Sequence, residues 1–505
     1  MAKDFSRRDF LKTGALATAG LVIVPNTILG KSHGYTAPSD KLNIAGIGVG
    51  GMGRRNLKNM STENIVALCD VDWGYAKKTF NDYPKAKQFK DWRVMFEQMG
   101  DSIDAVLVAT PDHIHAGVSA HAITLGKHVY LQKPLAHSAY ECRLLAKLAG
   151  KYKVATQMGN QGNSFDWCRE IAEWIQTGII GEVTEVQVWT NRPIWPQGLN
   201  LPEKGEKNPK DLDWKLFLGP TTDRPYSSQY TPWNWRGWYD FGTGAMGDMH
   251  GHMMDPVVWA LGIQYPTKVI ASSTLSNLYS APHAEVITWT FPARPRKGNV
   301  NMPEVKVSWY DGGLMPPRPE ELLPGEMMGD ENGGIIFIGK KGKLMAGCYG
   351  MNATLLPKSD MANFKKPEPT IPRVKGGTGN IWDTDAHEQD WIRACKEPAN
   401  SRVEASSNFK FSGPMNEMIS TGVTAVRLAG IYGLHQELEW DGEKMEFTNI
   451  PANENIKIVT SDKFQVIDGD PRFDRQYADF NALDMAKECV KHTYHNGFTL
   501  PDMPK

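Results

Sequence analysis

The chain has few cysteines, no block of like charge beyond its N-terminus and no apolar run long enough to cross a bilayer comfortably. Each lack removes a class of function. The six cysteines (Cys69, Cys142, Cys168, Cys348, Cys395 and Cys489) are scattered without C-x-x-C spacing, which argues against a zinc ribbon and supplies no disulfide framework. Lys and Arg number 56 against 57 Asp and Glu, a net charge of −1, so nothing marks a polyanion partner and nucleic acid is not an expected ligand. There is no internal repeat. What is present is the composition of a soluble globular enzyme, 41% hydrophobic and 22% charged. At 505 residues the chain exceeds one ordinary core and should hold two domains plus excursions.

The N-terminus, residues 1–38, reads as a leader rather than as part of the fold. Ser6-Arg7-Arg8-Asp9-Phe10-Leu11-Lys12 has the twin-arginine pattern, and Thr13 to Val24 is a mildly apolar run of signal-peptide length. No clean A-x-A site follows. That route exports folded proteins, so a periplasmic or exported protein that folds before export is expected, without stable membrane insertion.

The strongest motif is Ile44-Ala45-Gly46-Ile47-Gly48-Val49-Gly50-Gly51-Met52-Gly53, an apolar run that turns through glycines into a potential helix. Gly46, Gly48 and Gly51 stand in G-x-G-x-x-G order. The first suits a tight turn, the second a close approach to pyrophosphate and the third close helix–strand packing, with the helix N-terminus offering N–H groups to phosphate. Ile65 to Cys69 reads as a second buried strand ending at Asp70, 24 residues after Gly46. A carboxylate there accepts hydrogen bonds from ribose hydroxyls and repels a ribose phosphate, favouring NAD over NADP.

Strands and helices alternate from residue 39 to 159, which suggests a Rossmann dinucleotide-binding domain. The strand Ala105 to Ala109 ends in Thr110-Pro111-Asp112-His113-Ile114-His115, and His128 to Leu131 ends in Gln132-Lys133-Pro134, both at the carboxyl edge where open α/β sheets bind ligands. Residues 160–450 read as an α+β domain with a large, mostly antiparallel sheet. Within it, a helix is expected from Pro414 to Gly433, and 352–380 reads as irregular. Residues 451–505 form an extension with no assigned role.

Lys133 ends a sheet strand where the nicotinamide half of a dinucleotide should lie, and can hold a substrate hydroxyl or help deprotonate it; a solvated strand-end lysine is the plainer alternative. If Gly247 to Ala260 is helical, Asp248 and His252 lie about 6 Å apart along one face. They then form an acid–base pair, or a helix cap followed by a core histidine. His250 and Asp255 complete a tempting metal set, but on a helix His250 and His252 point about 200° apart, so no metal is expected. Tryptophans between Trp189 and Trp238 suit either a sugar-stacking wall or a core.

Taken in order, the glycine turn, Asp70, Ala109-Thr110-Pro111-Asp112-His113-Ile114-His115, Gln132-Lys133-Pro134 and Asp248 with His252 and Asp255 resemble the Gfo/Idh/MocA oxidoreductases over roughly residues 42 to 440. The family's E-K-P lysine maps onto Lys133 and its Asp-x-x-x-His pair onto Asp248 and His252. Gln132 stands where the family has Glu, and His250 where a small residue is common. The likeness implies NAD, contacted by Gly46, Gly48, Gly51, Met52, Asp70, Thr110, Pro111, His115, Gln132 and Asn160. It implies a sugar or polyol contacted by Arg236, Trp238, His250 and Asp255, with Lys133 or His252 taking the hydroxyl proton and Asp248 orienting them. The expected function is hydride transfer between a sugar or polyol carbon and tightly bound NAD. The alternatives are an NAD-retaining glycosidase working by transient oxidation, elimination, hydration and reduction, and a non-catalytic carbohydrate-binding protein. Relatives commonly pair through the open sheet, so a homo-oligomer is expected.

Overall fold

The computed structural model describes residues 40–505, and Asn43–Lys505 form one compact unit. The leader expected at 1–38 lies outside the described residues.

The chain opens with β1 (Asn43–Ile47), α1 (Gly51–Asn59), β2 (Asn64–Cys69), α2 (Trp73–Asp82), β3 (Lys87–Phe89), α3 (Trp92–Met99), β4 (Ala105–Val108), α4 (Asp112–Thr124), β5 (His128–Leu131), α5 (Ala139–Tyr152) and β6 (Thr156–Met158). The six strands form one parallel sheet in the order β3-β2-β1-β4-β5-β6. Helices cover its faces, so central strands are apolar on both sides: every residue of β4 is buried. Local chemistry starts the helices as it should. Asp72 and Asp91 cap α2 and α3, and Ser138 with Glu141 forms a capping box on α5.

After α6 (Asp166–Thr177) the chain builds a second layer from β7 (Val183–Thr190), α7 (Trp214–Leu218), α8 (Gly244–Met253), α9 (Asp255–Leu261), β8 (Lys268–Ser273) and β9 (Glu285–Phe291). The hairpin β10 (Arg294–Lys297) and β11 (Val300–Met302) follows, then β12 (Val305–Tyr310), β13 (Gly333–Gly339), β14 (Gly342–Gly347) and β15 (Thr354–Leu356). After α10 (Ala386–Lys396) and α11 (Phe409–Leu428) come β16 (Leu438–Asp441) and β17 (Glu446–Phe447). The nine-stranded sheet runs β15-β14-β13-β7-β12-β9-β8-β16-β17 and is antiparallel except between β7 and β12. This is the Rossmann domain followed by an α+β domain that the sequence led one to expect.

Several elements differ from expectation. The helix anticipated at Pro414 begins at Phe409, because Asn408 accepts from the N–H groups of Lys410 and Phe411, and Pro414 lies inside it. The stretch Gly247 to Ala260 is two helices, broken at Met254 where Asp255 and Pro256 start α9. For 451–505 the sequence reading named no elements; there β18 (Asn455–Ile467) and β19 (Asp470–Asn481) form a separate antiparallel ribbon, followed by α12 (Ala482–Val490).

Helix α11 joins the layers. Asn416 Oδ1 accepts from Leu135 N (3.0 Å), two residues beyond Lys133, and Arg143 of α5 pairs with Glu417 (2.6 Å). The segment between β7 and α8 has its own small core of Leu212, Trp214, Phe217, Tyr230, Trp238 and Phe241, which holds it over the mouth of the first sheet.

Candidate active site

At the carboxyl edge of β1, Gly48 adopts φ +75°, and its N–H donates to Cys69 O (2.9 Å). A Cβ at Gly48 would lie 2.6 Å from the Ala109 carbonyl, and one at Gly53 only 2.0 Å from Gly48 O. Close helix–strand packing therefore falls to Gly53 rather than Gly51, whose φ is +43° and whose Cβ would meet the Tyr75 hydroxyl. Gly46 serves packing as well, with Val49 and Leu57 against it. Asp70 accepts from Val49 N (2.8 Å) and Gly50 N (3.2 Å) through one oxygen and from Asp72 N (2.9 Å) through the other. Burial pushes its carboxyl up and these N–H groups pull it back, leaving it at about 6.

A cleft of about 330 Å³ starts at this turn, lined by Gly48, Gly50, Gly51, Met52, Asp70, Thr110, Pro111 and Gln132, and runs on to Lys133, Asp248 and His252. The glycine cradle admits no side chain, and Thr110, on the cleft wall, has a buried hydroxyl without a partner, so the residues present fit a dinucleotide. His115 does not line the cleft. Its ring bridges Pro134 O (2.8 Å) and Thr110 O (2.9 Å), bracing together the loops that end β4 and β5. Gln132 donates to Asn56 Oδ1 (2.8 Å), which fixes the strand end one residue before Lys133.

Helix α8 supplies the other half. It passes above the sheet at ordinary packing distance, since even a Cβ built at Gly251 would lie 3.6 Å from Lys133 Cβ. Lys133 Nζ donates to Asp248 Oδ1 (2.9 Å) and to Asp248 O (2.7 Å), and Arg236 Nε donates to the same Oδ1 (3.0 Å). Burial would raise the Asp248 carboxyl, but the charges of Lys133 and Arg236 outweigh it and hold it well below the usual range. Asp112, buried behind it, is pushed up to about 7 by burial and by Asp248. Burial, then the charge of Lys133, lowers His252 to about 3, so its imidazole is neutral near neutral pH. Its Nδ1 is buried without a partner, which leaves Nε2 to meet a ligand.

Four further expected contacts are displaced. His250 is fully buried against Trp289 and Trp309, on the helix side away from the cleft. Asp255 starts α9 behind the cleft, where it accepts from Asn163 (2.8 Å) and Asn160 (3.2 Å); these contacts take Asn160 out of the cleft wall too. Trp238 belongs to the small core of the inserted segment and donates to Gln229 O (2.9 Å). The aromatic wall consists instead of Trp195, Trp233 and Trp235, with the Arg236 guanidinium 3.9 Å from the Trp233 ring and 4.3 Å from that of Trp235. Tyr349, Arg192, Trp382 and Phe498 also line the cleft. Sequence spacing held no sign of them, because they arrive from loops and the C-terminal tail. Tyr349 stands between Cys348 and Gly350 with φ +62°. Among the described residues no cluster of His, Cys, Asp and Glu is placed to hold a metal ion, and no helix is long and apolar enough to cross a membrane.

Residues 42–160 match the profile of an oxidoreductase family with an NAD-binding Rossmann fold, and 168–283 match that family's C-terminal alpha/beta domain. The chain has the Gfo/Idh/MocA oxidoreductase fold. NAD is accordingly the cofactor. Among solved structures of this fold, the WlbA dehydrogenase of Bordetella pertussis, in complex with NADH and UDP-GlcNAcA, is 15% identical, with a TM-score of 0.51 over 79% of this chain and 99% of that one. By sequence, a glycosyl hydrolase family 109 protein of Shewanella pealeana is 25% identical over 201 residues, 35% of this chain and 44% of that protein. The alpha-N-acetylgalactosaminidase of Shewanella oneidensis is 25% identical over 208 residues, 36% of this chain and 44% of its own length. The chain thus spans under half the length of the glycosidase relatives it matches.

Proposed function

We propose that the protein is an enzyme of sugars that retains NAD and releases an aglycone through a transient oxidation. The carrying observation is the convergence of Lys133, Asp248 and His252 at the far end of the cleft that begins at the glycine turn. When bound, NAD supplies a two-electron acceptor for a ring hydroxyl carbon and, in a redox-neutral cycle, returns those electrons after the aglycone has left and water has added.

The chain's own residues divide the remaining work. The neutral His252 imidazole accepts the hydroxyl proton. The Lys133 ammonium spends two of its three N–H donors on Asp248 and has one left for the substrate oxygen. Asp248 fixes that ammonium and Arg236 in place. Tyr349, whose ring meets His252 edge-on at 4.8 Å, keeps its phenol proton because burial raises it. The tryptophan wall stacks on a sugar face. Similarity to glycosidases favours the redox-neutral cycle over net dehydrogenation, and retention suits an exported enzyme with no free NAD outside.

The test is to purify the folded protein, identify its nucleotide, and offer aryl glycosides and free sugars while following aglycone and NADH absorbance together. Aglycone release without net absorbance change is expected. Accumulating NADH with free sugars would replace this reading by dehydrogenation, and binding without turnover would leave a carbohydrate-binding protein.

A further inference from the structure

The charges of the cleft are unevenly shared between its ends. Near the glycine turn the wall carries Asp70, Asp72 and Asp91 with a single Lys90. At the far end it carries Lys133, Arg236 and Arg192 against one carboxylate, Asp248, which already serves two of the three cations. Asp112, buried behind them and pushed up to about 7, does not cancel the excess.

Arg192 is the cation left over. It follows β7, and its carbonyl is pinned by Gly312 N (2.7 Å). Its guanidinium donates to the amide oxygen of neighbouring Asn191, and among the described residues no carboxylate forms an ion pair with it. Asp330, whose charge also acts on Tyr349, is engaged by the N–H groups of Asn332 (2.8 Å) and Cys348 (2.7 Å) and does not line the cleft. Arg192 lines the cleft, and its charge acts on His252 and Tyr349, which places it with the reacting groups. A guanidinium lining a cleft with most of its five N–H donors unused matches the planar oxygen pair of an anion.

We propose that the sugar taken by this site carries an anionic substituent, a carboxylate or a sulfate, and that Arg192 pairs with it. This rests on the sugar-enzyme reading above and sharpens it to a substrate class. The test titrates the NAD-loaded protein with glucuronate, galacturonate, glucose sulfate and glucose, reading the fluorescence of the cleft tryptophans, in the wild type, Arg192→Gln and Arg192→Lys. At least one anionic sugar should bind about 10-fold or more tighter than glucose, equivalent to about 1.4 kcal/mol. Arg192→Gln should erase that preference and Arg192→Lys restore part of it, and comparing uronates with the sulfate separates the two anions. Glucose binding as tightly as every anion, no measurable binding of any anion, or a preference unmoved in Arg192→Gln overturns the proposal. Aglycone release is read separately. A preserved anion preference without turnover defeats only the proposed reaction, and turnover of neutral glycosides without anion preference defeats only this inference.

Discussion

Lys133 and Asp248 are joined twice: the lysine Nζ donates both to the carboxylate (2.9 Å) and to the main-chain carbonyl (2.7 Å) of the aspartate. A strand end of the first sheet is thereby tied to a helix of the second layer at the point where the two domains meet over the cleft. Asp248→Asn keeps the size and removes the charge, leaving Lys133 and Arg236 facing each other without their shared anion. Turnover should fall about 100-fold or more, as expected when positioned proton-transfer groups lose their alignment. NAD content should be unchanged, since the glycine turn and Asp70 are untouched. Turnover near that of the wild type, with NAD still bound, would remove Asp248 from the mechanism.

The glycine turn makes a second prediction. Gly48→Ala must accommodate φ +75° and a methyl 2.6 Å from a backbone carbonyl, neither of which can relax without parting β1 from β4. A loss of about 1–3 kcal/mol in stability is expected, together with loss of copurifying NAD, measured by denaturant unfolding and nucleotide release. Gly100→Ala is the control, because a Cβ there meets nothing within 4 Å.

His250 predicts a pH dependence. Burial alone lowers it to about 3, and neither ring nitrogen has a partner. Between its ordinary value of about 6.5 and the folded value, the unfolded chain takes up a proton that the native protein refuses, so this residue's contribution to stability is lost as pH falls through that window. His250→Leu should therefore lose about 2 kcal/mol less than the wild type between pH 7 and pH 5. Parallel losses in the two proteins by chemical denaturation would show that His250 is protonated in the fold.

The first sheet was legible because its signals are local: apolar runs buried on both faces and the glycine order. Lys133, Asp248 and His252 were legible for the same reason, each standing at a strand end or at helical spacing. Residues whose position depends on which side of an element faces the core were not. His250 and Trp238 look like ligand contacts in one dimension, yet His250 turns to the sheet and Trp238 to a local core. Asp255 looks like a continuation of the Asp248 helix until the break at Met254 moves it behind the wall. Arg192, Tyr349 and Phe498 are brought in by long-range packing, which leaves no period to read.

Phe498 supports the last prediction, because the tail that carries it is held by contacts independent of the cleft. Tyr494 donates to Glu141 (2.7 Å), His495 N to Pro220 O (2.8 Å), and Asn496 to Gly219 O (3.1 Å) and Thr221 O (2.9 Å). The Phe498 ring then lies 4.7 Å from the Arg93 guanidinium at the start of α3, and shares the cleft wall with Asp91, Trp92 and Asp70. That is the nucleoside end, since Asp70 closes β2 and its N–H donates to Phe89 O of β3 (3.1 Å). An aromatic face there is placed to cover the base of a bound dinucleotide, and such stacking is worth about 1–3 kcal/mol. Phe498→Ala should speed NAD dissociation by about 10-fold or more while leaving the tail's hydrogen bonds and the Lys133–Asp248 pair in place. The rate is read from loss of bound NADH fluorescence on dilution. A rate unchanged in Phe498→Ala but raised in Trp382→Ala would move the cover to Trp382, which reaches the same cleft with Arg55 stacked over it at 4.4 Å.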